Sequence, residues 1–239
     1  MATITLKNVT KSFGNSRIIE KFDAEFADGE FITLLGPSGC GKTTTLRMIA
    51  GFEKPTTGEI FIGDKKVSGE DTFVPPENRN IGMVFQSYAV WPHMNVFDNV
   101  AYPLKIRKRP KAEIQEKVRN ILEEMGLSDY EKTMPSKLSG GQQQRVALGR
   151  ALVSESGILL CDEPLSNLDA RLRKKMRREI KEIQKKYAIT IVYVTHDLTE
   201  AVDMSDRIFV LNEGVVQQVG TPKEILETPA NDFVREFIF

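Results

Sequence analysis

Residues Gly36-Pro37-Ser38-Gly39-Cys40-Gly41-Lys42-Thr43 fit the pattern GxxxxGK[ST]. They follow the apolar run Phe31 to Leu35 and precede a stretch in which Leu46, Ile49 and Ala50 recur at helical spacing, with Gly51 as the expected stop. Glycines at these positions let successive backbone N–H groups turn inward, and the start of the helix adds partial positive charge, so strand, loop and helix together make a phosphate cradle. Lys42 is expected to reach the β- and γ-phosphates of ATP or GTP, and Thr43 to set its hydroxyl on Mg²⁺, with Thr44 beside it at the helix start.

A second constellation is Ile158-Leu159-Leu160-Cys161-Asp162-Glu163, an apolar strand pattern that ends in two carboxylates. Ligands of open α/β sheets gather at the carboxyl ends of strands, and consecutive side chains on a strand point to opposite faces. Asp162 is therefore expected to serve the Mg²⁺ shell, while Glu163 turns to another part of the site as a base or water-positioning group. His196, at the end of a third apolar strand pattern (190–195), is brought beside the same phosphates by the same rule. A third constellation, Leu138-Ser139-Gly140-Gly141-Gln142, opens another helix and offers a second set of free N–H groups and a hydroxyl. One phosphate loop has no need of a second cradle on its own nucleotide, so from the residues alone this start is either an ordinary helix cap or faces a nucleotide held by another subunit, as a two-fold dimer would arrange.

The elements that carry these groups alternate short strand patterns with helices, which implies a mainly parallel, helix-covered sheet. The first sixty residues read as strands, including a hairpin-like stretch around 24–31. Residues 88–150 change texture to helical patterns, with Ile114, Val118, Ile121, Leu122 and Met125 on one face, and read as an inserted helical lobe. The basic run from Arg171 to Lys186 is interrupted by Leu172, Met176, Ile180 and Ile183 and reads as a solvated helix face.

Thirty-three acidic and 33 basic residues balance to a formal charge of zero, which excludes a protein whose main role is to coat nucleic acid. No run approaches the roughly 20 apolar residues needed to cross a bilayer, and the N-terminus lacks a signal pattern, so a cytoplasmic location is expected. The two cysteines, Cys40 and Cys161, are expected to be reduced thiols. Cys40, at the start of a helix, is expected to have a lowered pKa and to react with thiol reagents unless ATP protects it.

The phosphate loop, the LSGGQ run and the strand ending in Asp162-Glu163 together resemble the ATP-binding subunits of the ABC transporter family. The similarity covers essentially the whole chain. It implies an α/β fold, a RecA-like mainly parallel sheet (1–87 and 151–239) with an N-terminal antiparallel β subdomain and an α-helical subdomain (about 88–150). It further implies a head-to-tail homodimer, or a pair with another ATPase subunit, in which ATP and Mg²⁺ lie between the phosphate loop of one copy and Ser139, Gly140, Gly141, Gln142 and Asp169 of the other. By the same resemblance Phe13 stacks on adenine, and Gln86 senses Mg²⁺ beside Thr43 and Asp162. Lys42, Glu163 and His196 carry hydrolysis, and Ser166 to Asp169 form a loop across the dimer.

The aromatic-rich segment with Tyr88, Trp91, Met94, Phe97 and Tyr102 is similar to importer ATPases of the maltose and sugar, ferric-iron, polyamine and phosphonate groups. These residues are expected partly in the core of the lobe and partly on an apolar patch awaiting a partner. The implied partners are an integral membrane permease, which holds the chain at the inner face of the membrane, and through it a solute-binding protein. Many such ATPases continue into a β-rich regulatory domain; the apolar tail with Phe233, Phe237 and Ile238 either packs back or led into further chain, and truncation is the favoured expectation. The rival readings are a soluble, non-transport ABC ATPase and a nucleotide-dependent switch without turnover.

Overall fold

The computed structural model describes residues 3–239. In chain order its first elements are β1 (Ile4–Phe13), β2 (Ser16–Phe26), β3 (Phe31–Leu35), α1 (Lys42–Ala50), β4 (Thr57–Ile62), β5 (Lys65–Ser68) and β6 (Gly82–Val84). Three helices follow, α2 (Val96–Ile106), α3 (Lys111–Glu124) and α4 (Gly140–Leu152). The remainder is β7 (Ile158–Asp162), α5 (Ala170–Tyr187), β8 (Thr190–Thr195), α6 (Leu198–Met204), β9 (Arg207–Asn212), β10 (Val215–Gly220), α7 (Pro222–Glu227) and α8 (Asp232–Ile238).

The strands form one mixed sheet in the order β5-β4-β1-β2-β10-β9-β3-β8-β7-β6. Strands β9, β3, β8, β7 and β6 run parallel, and every residue of β3, β7 and β8 is buried, as strands covered by helices on both faces require. The N-terminal strands β2, β1, β4 and β5 pair antiparallel and show the mixed burial of a sheet with one solvated face. The expected α/β class with an antiparallel N-terminal part is thus what the chain adopts.

The hairpin expected around residues 24–31 does not form. A tight turn is present, with Glu30 N–H donating to the Ala27 carbonyl at 3.2 Å and the Glu30 carboxylate accepting from Ala27 N–H at 2.7 Å. Yet β2 and β3 are separated in the sheet by β10 and β9. The fully buried β3 needs cover on both faces and takes a central place, whereas β2, paired between β1 and β10, keeps exposed polar residues along its length.

Helices α2, α3 and α4 pack through Val100, Leu104, Val118, Leu122, Val146 and Leu148 into a core that continues without a break to Leu159 and Tyr193 of the sheet. A second core, with Phe22, Phe26, Leu46, Ile49 and Phe209, lies under α1 and joins the antiparallel strands to the parallel ones. The apolar tail packs back: Val234 is buried and the rings of Phe233 and Phe237 stack 5.9 Å apart against a cluster with Ile208, Val210 and Ile225. Among the described residues no helix is long and apolar enough to cross a membrane.

Candidate functional site

The loops that leave β3, β6, β7 and β8 share one edge of the sheet, and the register brings their ends level. Leu35 lies opposite Thr195, Asp162 opposite Val194, and Val84 opposite Cys161. The phosphate loop, Gln86, Asp162, Glu163 and His196 therefore emerge together at the carboxyl ends of parallel strands, where an open α/β sheet holds its ligand.

Gly41 ends the phosphate loop at φ +104°, a conformation that costs a side chain dearly, and a Cβ there would come within 2.3 Å of Ile19 Cδ1. No side chain caps α1, so its first N–H groups are left to face the loop. The buried Lys42 ammonium donates to the carbonyls of Gly36 and Pro37, both at 2.7 Å, which keeps a full positive charge inside the cradle.

Asp162 and Glu163 diverge as the strand pattern requires. Thr43 Oγ1 donates to Asp162 Oδ1 at 2.8 Å. Burial lifts the Asp162 carboxyl above its ordinary pKa, against the pull of the Thr43 hydroxyl and the Arg47 and Lys42 charges. Glu163 sits at φ +45°, in the left-handed region, with its N–H donating to the Val194 carbonyl at 3.0 Å. A non-glycine residue held there stores strain, a common mark of functional positions. The twist aims its carboxylate at the next loop, where Glu163 Oε2 lies 3.2 Å from Nδ1 of the half-exposed His196. Two acids one residue apart thus serve two partners, a hydroxyl at a helix start and an imidazole.

Cys40 departs from expectation. The thiol is buried, and desolvation raises its pKa despite Lys42 Nζ at 3.7 Å. Burial outweighs the helix start here, so the thiol is protonated and shielded. Native protein is expected to react with iodoacetamide at Cys40 at least about tenfold slower than unfolded protein. Mass spectrometry of labelled peptides would check this, and rapid native labelling would contradict it. Cys161 is wholly buried, and desolvation and the neighbouring Asp162 push its thiol up as well.

The other predicted residues form a separate group. Ser139 caps α4 in a reciprocal box, its Oγ accepting from Gln142 N–H at 3.3 Å while its N–H donates to Gln142 Oε1 at 2.8 Å. Asp169 caps α5 through Leu172 N–H at 2.9 Å. The two helix starts press together: a Cβ on Gly141 would lie 2.8 Å from Leu172 Cδ2. Among the described residues no hydrogen bond or ion pair joins Ser139, Gly140, Gly141 or Gln142 to the phosphate loop of the same chain. Phe13 stands half-exposed at the β1–β2 turn, with Lys11 Nζ 4.4 Å above its ring. The Gln86 carbonyl accepts from Asn167 Nδ2 at 2.9 Å, which links its loop to the Ser166 to Asp169 loop.

Four arginines complete the site's framework and escaped the sequence reading. Arg79 and Arg150 are buried, Arg145 pairs twice with Glu179 at 2.5 and 3.0 Å, and Arg173 bridges two loops. The α5 face read as solvated is in fact partly bound: Arg173 pairs with Asp197 and Arg177 with Asp203, both at 3.2 Å. Arg173 stands three and seven residues before Met176 and Ile180, so the helical period that marks the core face marks it too.

The ABC transporter family profile matches residues 19–166. The chain belongs to the ABC transporter family. It is 55% identical over its whole length to the trehalose/maltose import ATP-binding protein of Thermococcus litoralis, of which it covers 64%. It is 53% identical, over 98% of its length and 62% of the relative, to the spermidine/putrescine import ATP-binding protein of Marinobacter nauticus. With the sn-glycerol-3-phosphate import ATP-binding protein of Yersinia pseudotuberculosis it shares 51% over the whole chain and 66% of the relative. The chain thus spans just under two-thirds of the length of these curated relatives. Among solved structures it is similar to the ATP-binding cassette MJ0796 in a dimeric post-hydrolysis state bound to ADP and Pi, with a TM-score of 0.80, 33% identity, and coverage of 92% of this chain and 98% of that one.

Proposed function

We propose that this chain is the ATP-binding and ATP-hydrolysing subunit of an ABC importer, working as a pair of copies that close on two shared ATP molecules. The observation that carries the reading is the convergence of the phosphate loop, Thr43–Asp162 and Glu163–His196 at one end of the parallel strands, with the LSGGQ start capping its own helix and, among the described residues, making no hydrogen bond or ion pair to that loop. The family relatives named as import ATP-binding proteins and the dimeric cassette with ADP and Pi support it.

In this reading Gly36, Pro37, Ser38, Gly39, Cys40, Gly41, Lys42, Thr43 and Thr44 hold the phosphates, and Phe13 stacks on adenine. Mg²⁺ fits the donors present: a hydroxyl and a carboxylate oxygen in contact, with Gln86 on the neighbouring loop, are hard oxygen ligands, and Mg²⁺ usually takes few protein ligands beside phosphate and water. No cluster of three or more His, Cys, Asp or Glu suited to a metal occurs among the described residues. Bound there, Mg²⁺ would neutralise phosphate charge; the chain's own work is positioning. Lys42 offsets charge on the transferred group, Glu163 orients and deprotonates water, and His196 holds the Glu163 carboxylate in place from its exposed side. Residues Ser139 to Gln142 and Asp169 serve the ATP of the paired copy.

Coupling to a membrane permease, and so placement at the inner face of a membrane, is proposed through the groove between β6 and α2. This cavity of about 310 Å³ is lined by Met83, Trp91, Tyr102, Ile106 and Arg150. The aromatic segment divides as expected. Tyr88 is buried in the core, while Trp91 lies 4.3 Å from Tyr102 and is stacked under Arg150 at 4.4 Å on the groove wall. Arg150 also donates to the carbonyls of Tyr88 and Ala89, at 3.0 and 2.7 Å, and so fixes the loop that follows Gln86. Trp91→Ala is expected to lower permease-stimulated ATP turnover and solute uptake in proteoliposomes by about tenfold, with turnover of the isolated chain within about twofold of the parent. Unchanged uptake would sink this assignment of the groove. Sugar is the favoured substrate class, with polyamine and glycerol phosphate as the alternatives that the relatives' names support, and uptake of labelled candidates by the same proteoliposomes decides between them.

A further inference from the structure

The loop offered to a paired copy and the turn that carries His196 are joined through a side chain of α5. Arg173, in the first turn of α5, donates through Nη2 to the Leu168 carbonyl at 3.1 Å and through Nη1 to Asp197 Oδ2 at 3.2 Å. Leu168 belongs to the loop that leads into the Asp169 cap, and its side chain packs at Gly140, the first residue of α4. Asp197 directly follows His196 and caps α6 by accepting from the N–H groups of Thr199 at 2.8 Å and Glu200 at 3.2 Å.

The far side of the His196 turn is equally constrained. Asp197 N–H donates to Thr195 Oγ1 at 3.0 Å, and the buried Glu200 carboxylate accepts from the Thr195 hydroxyl at 2.7 Å and the Tyr193 hydroxyl at 2.9 Å. The strand side of the turn is therefore rigid, and the α5 side is held through Arg173. The cost is visible on the arginine itself, whose Nε is buried without a hydrogen-bond partner. A side chain that forgoes one bond to keep two specific acceptors is serving their geometry, since an unmet buried donor is destabilising.

We infer that Arg173 is a positioning residue that makes the placement of His196, and through it Glu163, depend on the loop from Ser166 to Asp169. The inference rests on the shared-nucleotide reading above. Contact of a second copy with that loop moves or fixes Leu168, Arg173 follows its carbonyl acceptor, and Asp197 carries the constraint to the adjoining histidine. Each copy thereby hydrolyses its own ATP only when its interface loop is engaged.

The test uses the 239-residue chain in three steps. In the Glu163→Gln background, ATP-dependent dimerisation is measured by light scattering with and without Arg173→Met; the midpoint is expected to stay within about twofold, because the Arg173 side chain bonds no residue of the phosphate loop or of the LSGGQ start, and its backbone bond to Asp169 survives the substitution. With Glu163 present, Arg173→Met is expected to lower kcat about tenfold with KM within about twofold, and Arg173→Lys, which can hold only one of the two acceptors, to recover part of that loss. In single-turnover reactions the same substitution in a His196→Ala background is expected to cost less than about twofold more, since the two residues then act on one step. Arg173→Lys carries the test if Arg173→Met loses cooperative melting. A kcat unchanged in Arg173→Met, a loss of dimerisation in step with kcat, or an undiminished cost in His196→Ala would each overturn the inference and leave the shared site standing. Failure of the Glu163→Gln parent to dimerise with ATP would instead overturn the shared-nucleotide reading, and this inference with it.

Discussion

Glu163→Gln is expected to reduce steady phosphate release by roughly 10²- to 10⁴-fold and, in the same protein, to convert a monomer into a dimer when ATP is added. The substitution keeps the volume of the side chain and its ability to accept from His196, whose Nδ1 lies 3.2 Å from the carboxylate. What it removes is the negative charge and the base. With the base gone, water near the γ-phosphate is neither oriented nor deprotonated. With the charge gone, repulsion between this side chain and the phosphates falls, so the closed pair accumulates instead of resetting. Phosphate release and light scattering after size exclusion, on one preparation, read both effects. Release within about threefold of the parent would remove Glu163 from the hydrolytic step. Loss of release with a monomer in both conditions would mean that closure does not occur between two copies of this chain, and that LSGGQ does not serve the ATP of a partner.

The residues of that prediction were legible in the sequence because each lies where a strong local pattern stops. The phosphate loop, Asp162-Glu163 and His196 all follow runs of apolar residues, and in a parallel sheet the ends of such runs meet. The direction of Glu163 also followed from strand alternation, although its left-handed backbone did not, since glutamate carries no preference for it. The false hairpin at 24–31 marks the limit of that logic. Its turn is real, but sheet neighbours are decided by residues far along the chain, here β9 and β10, which a local pattern does not contain. Cys40 shows a second limit. Position at a helix start lowers a thiol pKa and burial raises it, and only the packed structure gives their balance. The arginines escaped for a related reason. A basic residue reads as solvated until its acceptors are known, and those of Arg150 are the carbonyls of Tyr88 and Ala89, while Arg173 reaches the Asp197 carboxylate, all on loops distant in sequence.

The largest stability effect is expected at the most saturated of them. Arg79 uses every donor it has: Nε to the Val74 carbonyl at 2.7 Å, Nη1 to Met48 and Ile49 at 2.8 and 2.9 Å, and Nη2 to the Val67 carbonyl at 3.1 Å and Ser68 Oγ at 2.7 Å. The Met48 and Ile49 carbonyls belong to the last turn of α1, where carbonyls run out of intrahelical N–H donors and where positive charge is favourable. Gly51 makes the approach possible, since a Cβ there would lie 2.5 Å from Arg79 Nε. Arg79 thus anchors the far end of the helix whose near end is the phosphate loop, and ties it to β5. Arg79→Met fills similar space but strands these acceptors, each buried orphan costing about 1–3 kcal/mol and some regaining water, so a total loss of about 3–4 kcal/mol is expected. At roughly 2–4 °C per kcal/mol for a chain of this size, the melting temperature should fall by about 10 °C. Burial pushes the Arg79 guanidinium down from the ordinary arginine value to about 10, a depressed pKa for a cation, so the unfolded chain binds the extra proton only in a window that opens near pH 10. Below that window both states carry the charge and the linkage slope is zero. The deficit of Arg79→Met relative to the parent should therefore be the same at pH 6 and pH 9 in calorimetry or urea titration, and a shift under about 2 °C would show that water replaces the guanidinium at the end of α1.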